Sequence, residues 1–203
     1  MKYKRIIALA AALVMILTLL CSCSKSNTNS KEDDNMNHPQ VKVKMEKGGE
    51  FTIELYPEYA PATVENFLKL VNEGFYNGLT FHRVVPGFMA QGGDPTGTGA
   101  GGSKDKIKGE FSSNGFTQNT LSHTRGVVSM ARTAVNDSAS SQFFICYQDV
   151  GAALDGSYAA FGKVIDGMEV VDYFCNIERT YNSGGEMSSP VEPIFISTAT
   201  QVK

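Results

Sequence analysis

The stretch that decides the fold is Phe81-His82-Arg83-Val84-Val85-Pro86-Gly87-Phe88-Met89-Ala90-Gln91-Gly92-Gly93-Asp94. It opens inside a short apolar run, Leu79 to Val85, which reads as a strand, and it closes in glycines that break the pattern. Taken alone, Phe88 and Met89 read as ordinary core and Arg83 as an ordinary surface cation. Upstream, Val41, Val43 and Met45 alternate with charged residues, Lys47-Gly48-Gly49-Glu50 turns the chain, and Phe51, Ile53 and Leu55 alternate again, which predicts a β-hairpin. Pro61 suits the first turn of a helix, and Val64, Phe67, Leu68 and Val71 follow at helical spacing until Gly74 offers a stop. Downstream, apolar runs recur at Gly126 to Ala131, Gln142 to Tyr147, Ala159 to Val164 and Pro193 to Ser197. A second helix is predicted over Met168 to Cys175, and Glu178 to Pro190, rich in Ser, Gly and Asn, reads as a surface loop. Many strands with two helices point to a closed sheet whose ends the helices cover.

Composition narrows the chemistry. The chain has 203 residues and a formal charge of -3, so it lacks the basic footprint that nucleic-acid binding requires. Its four cysteines are not spaced as a zinc site, and Cys146 and Cys175 are expected as free thiols. Gly97-Thr98-Gly99-Ala100-Gly101-Gly102 spells a dinucleotide fingerprint, yet no strand precedes it and no apolar helix follows, so a flexible or close-packed loop is expected. His82 and His123 could in principle pair with a serine or with Cys146, but no nucleophile elbow accompanies them.

Set beside Gly126 to Ala131 (GVVSMA) and Ser141-Gln142-Phe143-Phe144-Ile145, the opening segment closely resembles the cyclophilin family of peptidyl-prolyl cis/trans isomerases. Leu154-Asp155-Gly156 and Phe161-Gly162-Lys163-Val164 extend the resemblance, which covers nearly all of residues 40 to 198. It implies a mainly β fold: a closed eight-stranded antiparallel barrel capped by two α-helices, with a packed interior and the active site in an outer groove. It implies proline-containing, unfolded or partly folded polypeptides as substrates, with no cofactor and no metal. By the same resemblance Arg83 is the catalytic arginine and Gln91 a polar group that orients the site. Phe88, Met89, Phe144 and Leu154 wall a proline pocket with Tyr158 at its rim, Ala131 and Arg132 bind the substrate main chain, and Gln142 lies beside them. Ala153 stands where members that bind cyclosporin well carry tryptophan, so weak inhibition is expected. Tyr158 replaces a frequent histidine, and Arg132 and Thr133 replace commoner Asn and Ala.

The first 22 residues read as an address. Lys2, Lys4 and Arg5 precede fifteen residues, Ile6 to Leu20, that are apolar except for Thr18. A membrane-spanning helix needs about 20. Leu20-Cys21-Ser22-Cys23 resembles the lipobox of bacterial lipoproteins, which implies cleavage before Cys23 and lipidation of that residue. Loss of residues 1–22, with three cations and no carboxylate, takes the charge from -3 to -6. Residues 23–39 are then expected as a lipidated flexible tether and 40–203 as the isomerase domain, a monomer facing outside the cytoplasm on the cell membrane.

Overall fold

The structure, a computed structural model, describes residues 38–202. The predicted signal peptide, Cys23 and the tether up to residue 37 lie outside the described residues. Ten strands follow in chain order: β1 Gln40–Met45, β2 Glu50–Leu55, β3 Thr80–Val85, β4 Met89–Asp94, β5 Val127–Met130, β6 Phe143–Cys146, β7 Ala160–Asp166, β8 Arg179–Tyr181, β9 Met187–Pro190 and β10 Ile194–Val202. Eight close into an antiparallel barrel in the order β1-β10-β3-β4-β6-β5-β7-β2, and β8 and β9 form a separate two-stranded ribbon. The eight-stranded barrel is as expected. The ribbon is a correction, because it occupies the stretch that reads as a surface loop.

Among the described residues there are three α-helical segments where two were expected: α1 Pro61–Asn72, α2 Gly151–Leu154 and α3 Met168–Tyr173. The addition, α2, is a single turn of four residues, too short to show a helical period. α1 follows its signals. Pro61 takes the first helical position, where its missing N–H is no loss. The carboxylate of the buried Glu110 then accepts from the backbone N–H of Ala62 and Thr63 at 3.0 and 2.8 Å, which places an anion on the positive end of the helix. Leu70 and Val71 are buried with Val64 and Phe67, while Leu68 is only half-buried. α3 buries Val170 and Val171 as predicted, and a 3₁₀ turn, Phe174–Asn176, completes the second predicted helix.

Strand alternation fills the barrel. Val41, Val43 and Met45 of β1 and Phe51, Ile53 and Leu55 of β2 point inward while Lys42 and Lys44 face out. Phe67 of α1 packs against Tyr76, Phe143 and Phe161 at ring-centroid distances of 5.1, 5.5 and 5.1 Å, and Phe174 packs against Phe81 at 5.0 Å. Each such buried side chain contributes roughly 1.5–3 kcal/mol, so the packed aromatic interior holds the fold. Function must therefore lie on the outside. Ahead of β1, His38 lies edge-on to Tyr56 at 5.0 Å and the Pro39 carbonyl accepts from Leu55 N–H at 2.9 Å.

Candidate active site

The register of four neighbouring strands builds the site. Arg83 of β3 pairs across to Gln91 of β4, Gln91 to Phe144 of β6, and Phe144 to Ser129 of β5. Because side chains alternate along each strand, Val84, Ala90 and Phe143 enter the barrel while Arg83, Met89, Gln91 and Phe144 take the opposite face. There Met89, Phe144, Cys146 and Leu154 form a second apolar cluster, separate from the barrel core, with Val85, Phe88, Ala131 and Tyr158 packed on it. A cavity of about 220 Å³ opens over this cluster, lined by Arg83, Phe88, Met89, Gln91, Ala131, Arg132, Phe144, Leu154 and Tyr158. That volume suits a proline ring and its flanking peptide. The residues that the sequence reading assigned to the pocket are thus brought together, with a guanidinium at the mouth of an apolar floor.

Residues 40–201 match the family model described as cyclophilin type peptidyl-prolyl cis-trans isomerase/CLD. The chain belongs to the cyclophilin family. It is 49% identical over 132 residues to peptidyl-prolyl cis-trans isomerase B of Bacillus subtilis, which covers 65% of this chain and 87% of the relative. It is 42% identical over 161 residues to peptidyl-prolyl cis-trans isomerase A of Dickeya dadantii, covering 76% and 80%. A Cryptosporidium parvum cyclophilin crystallised in the presence of the dipeptide Ala-Pro superposes with a TM-score of 0.69 at 31% identity, covering 81% of this chain and 99% of that one. The chain is accordingly a peptidyl-prolyl cis-trans isomerase.

In this cyclophilin the polar side of the groove is a relay of fixed amides. Arg83 Nη1 donates to Gln91 Oε1 at 3.1 Å, Gln91 Nε2 donates to Gln142 Oε1 at 2.8 Å, and Gln142 Nε2 donates to the carbonyls of Gly99 and Gly101 at 3.0 and 2.7 Å. Gln91 thus turns its oxygen to the arginine. Gln142 braces it, and lines a neighbouring cavity of about 300 Å³ that shares Gln91, Ala131 and Arg132 with the first. The glycine loop is close-packed, since a Cβ on Gly101 or Gly102 would collide with Asp94 or Ser140. Its amides at Thr96, Thr98, Gly99 and Gly101 converge on the Asp94 carboxylate at 2.6–3.1 Å, so an internal anion takes the place that a phosphate would need. Burial opposes ionisation of Asp94, but those backbone bonds outweigh it and hold its carboxyl below the ordinary carboxylate range.

Two assignments are refined by the geometry. The Ala131 N–H already donates to Gln142 O at 2.9 Å, so a substrate main chain can meet only the Ala131 carbonyl. The Arg132 side chain is a clamp: it donates to Ser157 O at 3.0 and 2.8 Å and lies 4.7 Å over the ring of Tyr158, which ties together two residues that depart from the family pattern. Ala153 is exposed on α2.

Two contributors escaped the sequence reading. Asp155 accepts from the His123 backbone N–H at 2.8 Å and contacts its Nδ1 at 2.7 Å, while His123 Nε2 lies 2.9 Å from Ser129 Oγ. The line Asp-His-Ser has the order of a hydrolytic triad, but His123 and Ser129 are wholly buried and no substrate reaches them. It is a structural tie, joining β5 to the end of α2 and stacking His123 on Phe144 at 6.0 Å, so it backs the pocket wall. Burial holds His123 below the ordinary histidine range despite the opposing pull of Asp155, and burial, with smaller contributions from Asp155 and Asp149, pushes the free Cys146 thiol up to about 12, so neither offers a nucleophile pair. The second contributor is Glu186, on the ribbon that reads as a loop. Arg83 Nε and Nη2 donate to its two carboxylate oxygens at 2.6 and 2.8 Å, and this pairing lowers the Glu186 carboxyl to about 2. The available signal in the sequence was a lone acidic residue 103 positions from Arg83.

Proposed function

We propose that this isomerase is a lipid-anchored enzyme that turns X–Pro bonds in exported polypeptides outside the cytoplasm, assisting their folding. The observation that carries the catalytic half is the guanidinium of Arg83 held at the mouth of the apolar cavity. An X–Pro bond resists rotation by amide resonance, with a barrier near 20 kcal/mol and a time of roughly 10–100 s. As the bond twists, the prolyl nitrogen becomes pyramidal and gains a lone pair. Arg83 donates a hydrogen bond toward it without losing charge, while Phe88, Met89, Phe144 and Leu154 hold the ring and the rest of the peptide turns. Reaching the millisecond range takes about 10⁴-fold, near 5–6 kcal/mol, within the reach of a preorganised and partly desolvated site. No bond breaks. One chain supplies every wall of the pocket, so a monomer suffices.

The anchoring half is supported by the run Ile6 to Leu20 and by Leu20-Cys21-Ser22-Cys23. Two measurements test the proposal. In an exchange assay on a proline tetrapeptide, Arg83→Ala loses 10²-fold or more of kcat/KM, and retention of full activity would sink the assignment of the site. In cell fractionation with a clickable fatty acid, Cys23→Ala leaves the membrane and loses the label. Unchanged partitioning and labelling would remove the anchor.

A further inference from the structure

Arg83 is held on two edges. A guanidinium has five N–H donors in one plane. Two of them, on Nε and Nη2, meet Glu186 in a side-on, two-point contact. A third, on Nη1, meets Gln91 Oε1, and Nη1 also lies 3.9 Å from Met89 Sδ, a weak acceptor that a ligand displaces. An arginine fixed only at Nη1 swivels about that contact. Fixed at both edges, it presents one plane to the groove, with a donor left on Nη2 and a weakly engaged one on Nη1.

The carboxylate is itself built into place. Asn182 N–H donates to Glu186 O at 2.9 Å, and Asn182 Oδ1 accepts from the backbone N–H of Gly184 and Glu186 at 2.9 and 3.0 Å. Asn182 Nδ2 donates in turn to Ser188 Oγ at 3.1 Å, and Ser188 is wholly buried. Gly185, at φ +79°, allows the tip to close. β9 packs on β3, the strand that carries Arg83. An incidental surface pair has one flexible partner at each end and is worth little. Here one partner stands on a barrel strand and the other on a turn pinned through its own side chain, and the pair is two-pronged and less than half exposed.

We propose that Glu186 is a positioning residue for the isomerisation: through the β8–β9 ribbon it sets the plane of the Arg83 guanidinium against the prolyl nitrogen. The inference rests on the assignment of Arg83 to the reaction. It makes the ribbon part of the catalytic apparatus although the lining of the proline pocket includes none of its residues and it reaches the pocket through Arg83 alone.

The test is a double-mutant cycle on the full chain, with kcat and KM for a proline tetrapeptide measured by NMR exchange. Glu186→Ala lowers kcat about tenfold and leaves KM within twofold. Glu186→Gln, which keeps shape and one acceptor, loses about threefold, and Glu186→Asp recovers part of the loss seen with alanine. In the Arg83→Ala background, Glu186→Ala changes nothing further. The Arg83 Nε–H resonance is sharp and slowly exchanging in the parent and broadens in Glu186→Ala. Three results overturn the proposal while leaving Arg83 in place: activity of Glu186→Ala within twofold of the parent, a rise in kcat, or the same tenfold loss with Arg83 already removed. Full activity in Arg83→Ala alone would overturn both this role and the site assignment beneath it.

Discussion

Phe143 and Phe144 are adjacent on β6 and face opposite ways, which separates stability from catalysis within two residues. Phe143 is 1% exposed inside the barrel, with Phe67, Tyr76 and Phe81 edge-on to it at 5.5, 5.6 and 5.7 Å. Replacing it with alanine removes a ring enclosed on every side, and such truncations cost about 3–5 kcal/mol. Against a domain stability of about 5–15 kcal/mol, that is roughly a fifth or more of the total. Phe144 stacks on His123 and meets Tyr158 edge-on at 5.8 Å, but its remaining surface lines a cavity of about 220 Å³ that is already open. Fewer contacts are lost, so about 1.5–2.5 kcal/mol is expected for Phe144→Ala. The proline ring gains about 0.8 kcal/mol per buried CH₂, roughly 2.4 kcal/mol in all, and loss of one of four walls removes about 1 kcal/mol while the enlarged pocket aligns it poorly. kcat/KM should fall about 5- to 20-fold in Phe144→Ala. Urea unfolding gives the first quantity, and exchange kinetics on the folded fraction give the second. Phe143→Leu serves where the alanine variant is too unstable to assay. The reverse order, with Phe144→Ala costing as much stability as Phe143→Ala or a position 143 variant showing the larger catalytic defect per folded molecule, would refute the division between interior and groove.

Arg83→Lys keeps a positive charge but not the planar fork, and its kcat/KM should fall about 10²-fold; parity with the parent would show that charge alone suffices. Burial holds both His82 and His123 below the ordinary histidine range, with Arg83 adding to the effect at His82 while Asp94 and Asp155 oppose it. Between pH 7 and 5 the unfolded chain therefore takes up protons that the folded one refuses, so stability falls with pH by at most about 1.4 kcal/mol per unit for each ring. Urea midpoints that stay flat over that range would contradict this. Gly162→Ala would set a Cβ 2.5 Å from Glu54 O across the β2–β7 pairing, and a loss of about 1–3 kcal/mol is expected in thermal or urea unfolding, with the activity of the folded fraction preserved.

What could be read from the sequence followed what burial imposes on it. The β1–β2 hairpin and α1 show their periods because each buries one face against the same interior. β4 shows none, since Gly92 and Gly93 stand where ordinary side chains would: a Cβ at Gly92 would lie 2.9 Å from Thr80 O, so close approach to β3 replaces the alternating pattern. The β8–β9 ribbon reads as a loop because it is ordered by the side chain of Asn182 and hardly at all by apolar burial. At the site, the order of three motif blocks together with Leu154 and Tyr158 already named the residues that line the cavity. The roles of Asp155 and Glu186 were not legible, because each acts through a partner far along the chain: Asp155 shows only as a member of Leu154-Asp155-Gly156, and Glu186 belongs to no motif.

Gln40 and Val202 sit opposite one another in the β1–β10 pairing, and β1 stands four strands from β6 in either direction round the barrel. Both ends of the described chain therefore emerge together on strands that contribute no residue to the lining of the groove. An enzyme fused or immobilised through either end would keep its groove turned outward. A short linker joining the two would close the polypeptide into a ring, and new ends could then be opened at the exposed Lys47-Gly48 turn without disturbing a single wall of the proline pocket.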